Sequence, residues 1–190
     1  MLPLESYDRA IDLATGVIAS ISDDQLSCPT PCSEWTVRDI LNHFRLATLL
    51  MTAAIHGTPP PDRGKDHLGD NPRGTAVESL LACRALVNEP GMIDKPATGP
   101  MGPITVTWFV ERSTADLTAH TWDLSRAIDR PTDYDPELNE FVLAHYRARL
   151  DGKDRTGLPL AAEREPHADA TAADRLAAYL GRDPDFTLTS

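Results

Sequence analysis

RSTADLTAHTWDLSRAID, Arg112 to Asp129, has no Gly, no Pro and a helical spacing of its apolar residues. Val110, Leu117 and Leu124 recur at seven-residue steps, and Ile128 follows Leu124 by four, so one stripe of the helix faces a core. His120 lies on or beside that stripe. Asp116 sits one turn before it, so the two side chains can converge on one point. An inward-facing carboxylate and imidazole at this spacing either form a hydrogen-bonded pair or hold a metal.

Outward from this helix, the chain reads as further helices separated by loops. Residues 3–22 are amphipathic, through Leu4, Tyr7, Ile11, Ala14, Val17 and Ile18. A loop with two prolines, SCPTPCSEW, follows. Thr36 and Asp39 then resemble a capping pair, with Asp in place of the usual Glu or Gln, opening a helix over 36–56. Gly57 and Pro59 to Pro61 stop it. Its apolar face contains Val37, Ile40, Leu41, Phe44, Ala47, Leu50, Met51 and Ala54, and His43 lies inside that face.

The loop 57–72 is polar and rich in Pro and Gly, and is expected to be mobile. A third helix, about 73–88, carries Val77, Leu80, Leu81, Leu86 and Val87 inward, with Cys83 at its edge. Residues 90–103 contain four prolines and three glycines, which predicts irregular structure. Ile104 to Phe109 is β-prone but runs into the Asp116 helix, as its first turns or a short extended entry. A helix at 135–150 follows, with Leu138, Phe141, Val142, His145 and Leu150 toward its buried side. Then come a polar loop over 151–169 and a short helix from Ala172 to Leu180. No hairpin and no repeat is evident. The expectation is an all-α, up-and-down four-helix bundle with an additional C-terminal helix, a single domain spanning 1–190.

The formal net charge is -11 and no Lys/Arg cluster stands out, which argues against nucleic-acid or anionic membrane partners. There is no long apolar run, and the first residues, MLPLESYDRAIDL, carry charge early, so the protein is expected in the cytoplasm. Three cysteines suit a reduced compartment, and Cys28-x-x-x-Cys32 lacks the spacing and second pair of a Cys-rich zinc site. Neither cysteine has a readable activating neighbour, so both are taken as structural or incidental.

His43, Asp116 and His120 form the main constellation. Catalytic zinc-type sites use three ligands from His, Asp or Glu and leave one position open. Two ligands a turn apart on one helix, plus one from another helix, build such a set. The competing account is a core histidine satisfied by a hydrogen bond. Asp123, three residues after His120, either orients an imidazole or pairs with Arg126. Arg112 lies one turn before Asp116 and, by pairing with it, would remove it as a ligand. Trp35 and Trp122 are core aromatics or pocket walls.

PCSEWTVRDILNHF (31–44), DLTAHTWDLSRAID (116–129) and AADRLAAYLGRDPDF (172–186) together resemble the actinobacterial mycothiol-dependent maleylpyruvate isomerase-like family of the DinB-like superfamily. The resemblance covers nearly the whole chain in order. It implies a four-helix bundle with a divalent metal on His43, Asp116 and His120, zinc first, with nickel or iron as alternatives. It also implies mycothiol as co-substrate, its sulfur on the metal attacking a small electrophilic metabolite or xenobiotic. In isomerase members the thiolate adds reversibly to a conjugated double bond; in transferase members the adduct is the product. The characterised isomerase has Glu where this chain has Asp116, so the isomerase reaction carries over less directly than metal binding. A non-catalytic metal- or small-molecule-binding bundle and a metal-dependent hydrolase are the alternatives. The expected partners are a small substrate and a low-molecular-weight thiol, with a homodimer the only protein partner considered.

Overall fold

The computed structural model describes residues 1–32, 34–99, 102–155 and 160–187. Parts of three loops expected from the sequence, Ser33, residues 100–101 and residues 156–159, lie outside the described residues. Within them six α-helices form: α1 Pro3–Ala19, α2 Val37–His56, α3 Pro72–Val87, α4 Val106–Ala127, α5 Pro136–Leu150 and α6 Ala172–Tyr179. The chain thus has an all-α, DinB-like fold. α5 and α6, both expected as elements at 135–150 and 172–180, follow the bundle of four, one more than the additional C-terminal helix in the expected architecture.

The four bundle helices take the ring order α1–α4–α2–α3: α1 packs on α4 and α3, and α2 packs on the same two. Tyr7, Ile11, Ile18, Ile40, Leu41, Phe44, Leu80 and Leu124 fill the interior and are fully buried. α5 and α6 lie together against α4. This second layer changes α4. The sequence predicts one apolar stripe, but Leu117 through Ser125 are all buried. Three hydroxyls of the helix bond back along it, Thr114 to the Val110 carbonyl at 2.9 Å, Thr118 to that of Thr114 at 2.8 Å and Ser125 to that of Thr121 at 2.9 Å, while the buried Thr121 hydroxyl has no partner among the described residues.

Local signals explain the element ends. Thr36 and Asp39 form the expected reciprocal cap: the Asp39 amide donates to Thr36 Oγ1 at 3.3 Å and the Thr36 amide to Asp39 Oδ2 at 2.8 Å. Gly57 closes α2 in the left-handed conformation, φ 67°. Residues 96–99 and 102–105 depart from expectation. They pair as antiparallel strands, β1 Pro96–Gly99 with β2 Gly102–Thr105, in the register Pro96↔Thr105 to Gly99↔Gly102. Both strands are edges, where proline is tolerated. β2 runs directly into α4, and Thr105 Oγ1 caps it by accepting from the Trp108 amide at 3.3 Å.

Two residues of α3 reverse expectation. Cys83 is buried rather than at the edge, its sulfur 3.4 Å from that of Met51. Leu81 is 38 % exposed, because the inward stripe is Ala76, Leu80, Cys83 and Val87 and its own position points off that stripe. The loop 57–72, expected to be mobile, is pinned to α2: Asn42 bridges the Lys65 carbonyl and the His67 amide, and Arg38 reaches Asp66 at 2.7 Å. Among the described residues no helix is long and apolar enough to cross a membrane.

α5 is held to α1 by Asp135, which accepts from the Leu138 amide at 3.0 Å and from Arg9 Nε and Nη2 at 2.8 and 2.6 Å. Asp135→Ala removes a helix cap and a two-pronged charged contact together, and is expected to destabilise the protein by about 2 kcal/mol in urea unfolding, with an unchanged m-value.

Candidate metal centre

α2 and α4 bring the three predicted side chains together. Thr36 fixes the start of α2, which sets His43 two turns inside the helix against α4. There, His43 Nε2 lies 2.6 Å from Asp116 Oδ2. His120 Nε2 lies 3.8 Å from Asp116 Oδ1, beyond hydrogen-bond reach. One ligand-type atom from each residue falls within 4.8 Å of the others, a spacing that suits one metal ion. The donor set of two imidazole nitrogens and a carboxylate fits zinc, nickel or iron.

Protonation states follow from the surroundings. Burial alone would raise the Asp116 carboxyl; the His43 hydrogen bond and the charges of His43, His120 and Arg112 outweigh it and bring it down to about 2. Asp116 is therefore a carboxylate, and the His43 contact is an N–H donating to it. That proton occupies the position for which a cation would compete. Arg112 does not pair with Asp116. Its guanidinium lies over the Trp108 ring, 5.8 Å from the centroid, and acts on Asp116 only as a distant charge.

His120 is 9 % exposed, and its far nitrogen is anchored. Nδ1 lies 2.8 Å from Oδ2 of Asp123, a side chain with no exposure at all. Burial would raise the Asp123 carboxyl, but the His120 hydrogen bond and Arg182 hold it below the ordinary carboxylate range. A carboxylate only accepts, so Nδ1 carries a proton toward Asp123, and Nε2 is the nitrogen on the Asp116 side. Carboxylate–imidazole pairs of this kind orient metal-binding histidines. Asp123 thus takes the orienting role rather than the local pair with Arg126, which bonds the Pro184 carbonyl and lies over Trp122.

The two tryptophans separate. Trp35 stacks on His120, with centroids 5.3 Å apart and planes at 25°, and tilts against His43 at 5.0 Å. It covers the centre from one side. The preceding turn is tightly bonded: the Trp35 carbonyl accepts from the Thr30 amide at 3.1 Å and hydroxyl at 2.9 Å, and Glu34 takes a positive φ of 71°. Such a conformation in a non-glycine residue is held by its surroundings. Trp122 faces away, into a small cluster with Ala173 and Ala177, and its indole N–H donates to Asp174 at 2.9 Å. It is a core residue of the α4–α6 contact.

Three neighbours were not predicted. Arg182, after α6, meets Asp123 at 3.1 and 3.3 Å. Cys32 comes close enough to His120 and Asp123 to form a second group of ligand-type atoms. The cation beside that group is Arg182 itself, and burial with help from Asp123 pushes the Cys32 thiol up to about 11, so it stays protonated near neutrality. Tyr146 of α5 is pushed up to about 12 by burial and then by Asp116. Arg182 lies within the third family-like string and Cys32 within the first, whereas Tyr146 lies in none of the three.

The family model for the mycothiol maleylpyruvate isomerase N-terminal domain matches residues 7–125. The chain belongs to this family. Membership implies a mycothiol-related, metal-dependent function of the DinB-like kind, and the matched region contains every residue of the cluster except Tyr146 and Arg182. Similar full-length relatives are two uncharacterized proteins of Mycobacterium tuberculosis, from strains CDC 1551 / Oshkosh and ATCC 25618 / H37Rv. Each is 33% identical over 184 residues, covering 96% of this chain and 98% of the relative. No solved structure matches the chain significantly.

Asp116 has a depressed folded-state value, so its contribution is present above the ordinary 3.8 and is lost as pH falls through about 2. In chelated protein, the stability difference between wild type and Asp116→Asn is expected to shrink between about pH 5 and pH 2, read as urea midpoints. A difference independent of pH over that range would contradict the ionised state.

Proposed function

We propose that His43, Asp116 and His120 hold a divalent metal, zinc first, and that the protein is a mycothiol S-transferase acting on a small electrophile. The observation that carries this is the convergence of one ligand-type atom each from His43, Asp116 and His120 within 4.8 Å, with His120 hydrogen-bonded to Asp123. Family membership supports the thiol. A divalent ion bound there would draw the sulfur of a thiol and favour its thiolate, the nucleophile.

The chain's own residues do the rest. Asp116 supplies the negative charge that offsets a cation. Asp123 keeps the His120 proton on Nδ1 and leaves Nε2 free. Trp35 stacks over His120 and tilts against His43, and the Phe44 ring lies edge-on to His120 at 6.2 Å. Among the cysteines near the site, Cys32 is protonated near neutrality and so does not compete with an incoming thiol as nucleophile. Transfer, which ends at the adduct, is favoured over isomerisation because Asp116 stands where the characterised isomerase has Glu. We also take residues 1–190 as one folding unit, since a continuous core runs from Tyr7 to Leu180.

The direct His43–Asp116 hydrogen bond at 2.6 Å favours one second reading: a non-catalytic bundle in which the pair is satisfied without metal. Metal analysis of protein purified without chelator separates the two. Near-stoichiometric metal in wild type and its loss in His43→Ala are expected, together with mycothiol adducts of model electrophiles by mass spectrometry. Equal metal in both proteins, or turnover that needs no thiol, would overturn the proposal.

A further inference from the structure

We infer that Arg182, on the C-terminal segment beyond the matched family region, is a positioning residue for the metal centre, acting through Asp123 on the His120 ring. This rests on the metal reading for its consequence, but its geometry stands alone. Asp123 has no exposure, and Arg182 is 10 % exposed. Arg182 Nη2 meets Asp123 Oδ2 at 3.1 Å and Nε meets Oδ1 at 3.3 Å, so the guanidinium engages both oxygens and fixes the carboxylate plane. Oδ2 then presents its remaining lone pair to His120 Nδ1 at 2.8 Å. Without the guanidinium, a buried carboxylate is left with half its partners, free to turn and with its charge uncompensated.

The backbone is built to deliver this side chain. Gly181 has φ +83°, and a Cβ there would lie 2.5 Å from Ala161 Cβ and 2.8 Å from the Ala162 carbonyl oxygen. Glycine is therefore required for the turn that ends α6 and sends Arg182 back toward α4. The turn is closed by the Arg182 amide donating to the Ala177 carbonyl at 2.9 Å and the Arg164 amide donating to that of Ala178 at 2.9 Å. Arg182 Nη1 also reaches the Leu180 carbonyl at 3.4 Å. The C-terminal segment is thus coupled to the metal centre by two contacts in series: Arg182 to Asp123, and Asp123 to His120.

The test uses the full chain and two variants, Arg182→Gln and Arg182→Lys. Long-range ¹⁵N–¹H correlation on the metal-free protein reads the His120 tautomer. Wild type is expected in the single Nδ1–H form; Arg182→Gln is expected to show the Nε2–H form as well. Zinc affinity by competition with a chelating dye is expected to fall about tenfold or more in Arg182→Gln. Arg182→Lys keeps the charge but lacks the fork, so it is expected to fall between the two. An unchanged tautomer and affinity in a folded Arg182→Gln would overturn the inference. If that variant does not fold, Arg182→Lys with wild-type tautomer and affinity would overturn it equally. A wild type that binds no zinc would defeat the metal reading, while the tautomer would still decide the role of Arg182.

Discussion

α4 is buried on nearly every side in its second half, and it carries polar residues there. That combination constrains much of the structure, because a buried donor or acceptor left alone costs about as much as several favourable contacts supply. Thr118 and Ser125 meet it by bonding back along the helix. Trp122 meets it with Asp174 of α6. Asp123 meets it with His120 and Arg182, which requires both a histidine on its own helix and an arginine from the end of the chain. α6 and the following turn therefore supply partners to the polar interior of α4 as well as covering it.

The same constraint shapes the chemistry. One side of the His120 ring is fully used by Asp123, so its other nitrogen is left facing Asp116 without a hydrogen bond of its own. His43 enters from the opposite helix and shares Asp116. Trp35, presented by a turn with Glu34 at positive φ, lies across both rings. Two imidazoles, an ionised carboxylate and an aromatic neighbour thus meet at one point, which is the arrangement the proposed metal site uses.

Much of this was legible in the sequence. The Thr36–Asp39 cap, the Gly57 stop and the inward position of His43 each follow from a few adjacent residues, because helix periodicity and capping are local. The convergence of His43, Asp116 and His120 needed only two helices with correctly phased faces. What depended on distant chain was not legible. The paired strands at 96–99 and 102–105 looked irregular because Pro96 and Pro103 obscure strand character that edge pairing tolerates. Arg182 lies 59 residues from Asp123 in sequence, and no spacing rule links them. Trp35 and Trp122 looked alike beside their ligand segments; only the packing of α6 on α4 assigned one to the core and left the other over the histidines. Leu81 and Cys83 exchanged roles on α3 because one step around a helix, about 100°, separates an inward from an outward position.

The central claim is a metal on His43, Asp116 and His120 that accepts the sulfur of a thiol. X-ray absorption at the zinc edge of loaded protein, with and without mycothiol, tests it most directly. The account predicts nitrogen and oxygen neighbours alone in the first case, and a sulfur neighbour at about 2.3 Å appearing in the second. A zinc environment unchanged by saturating thiol, or one containing sulfur before thiol is added, would contradict it.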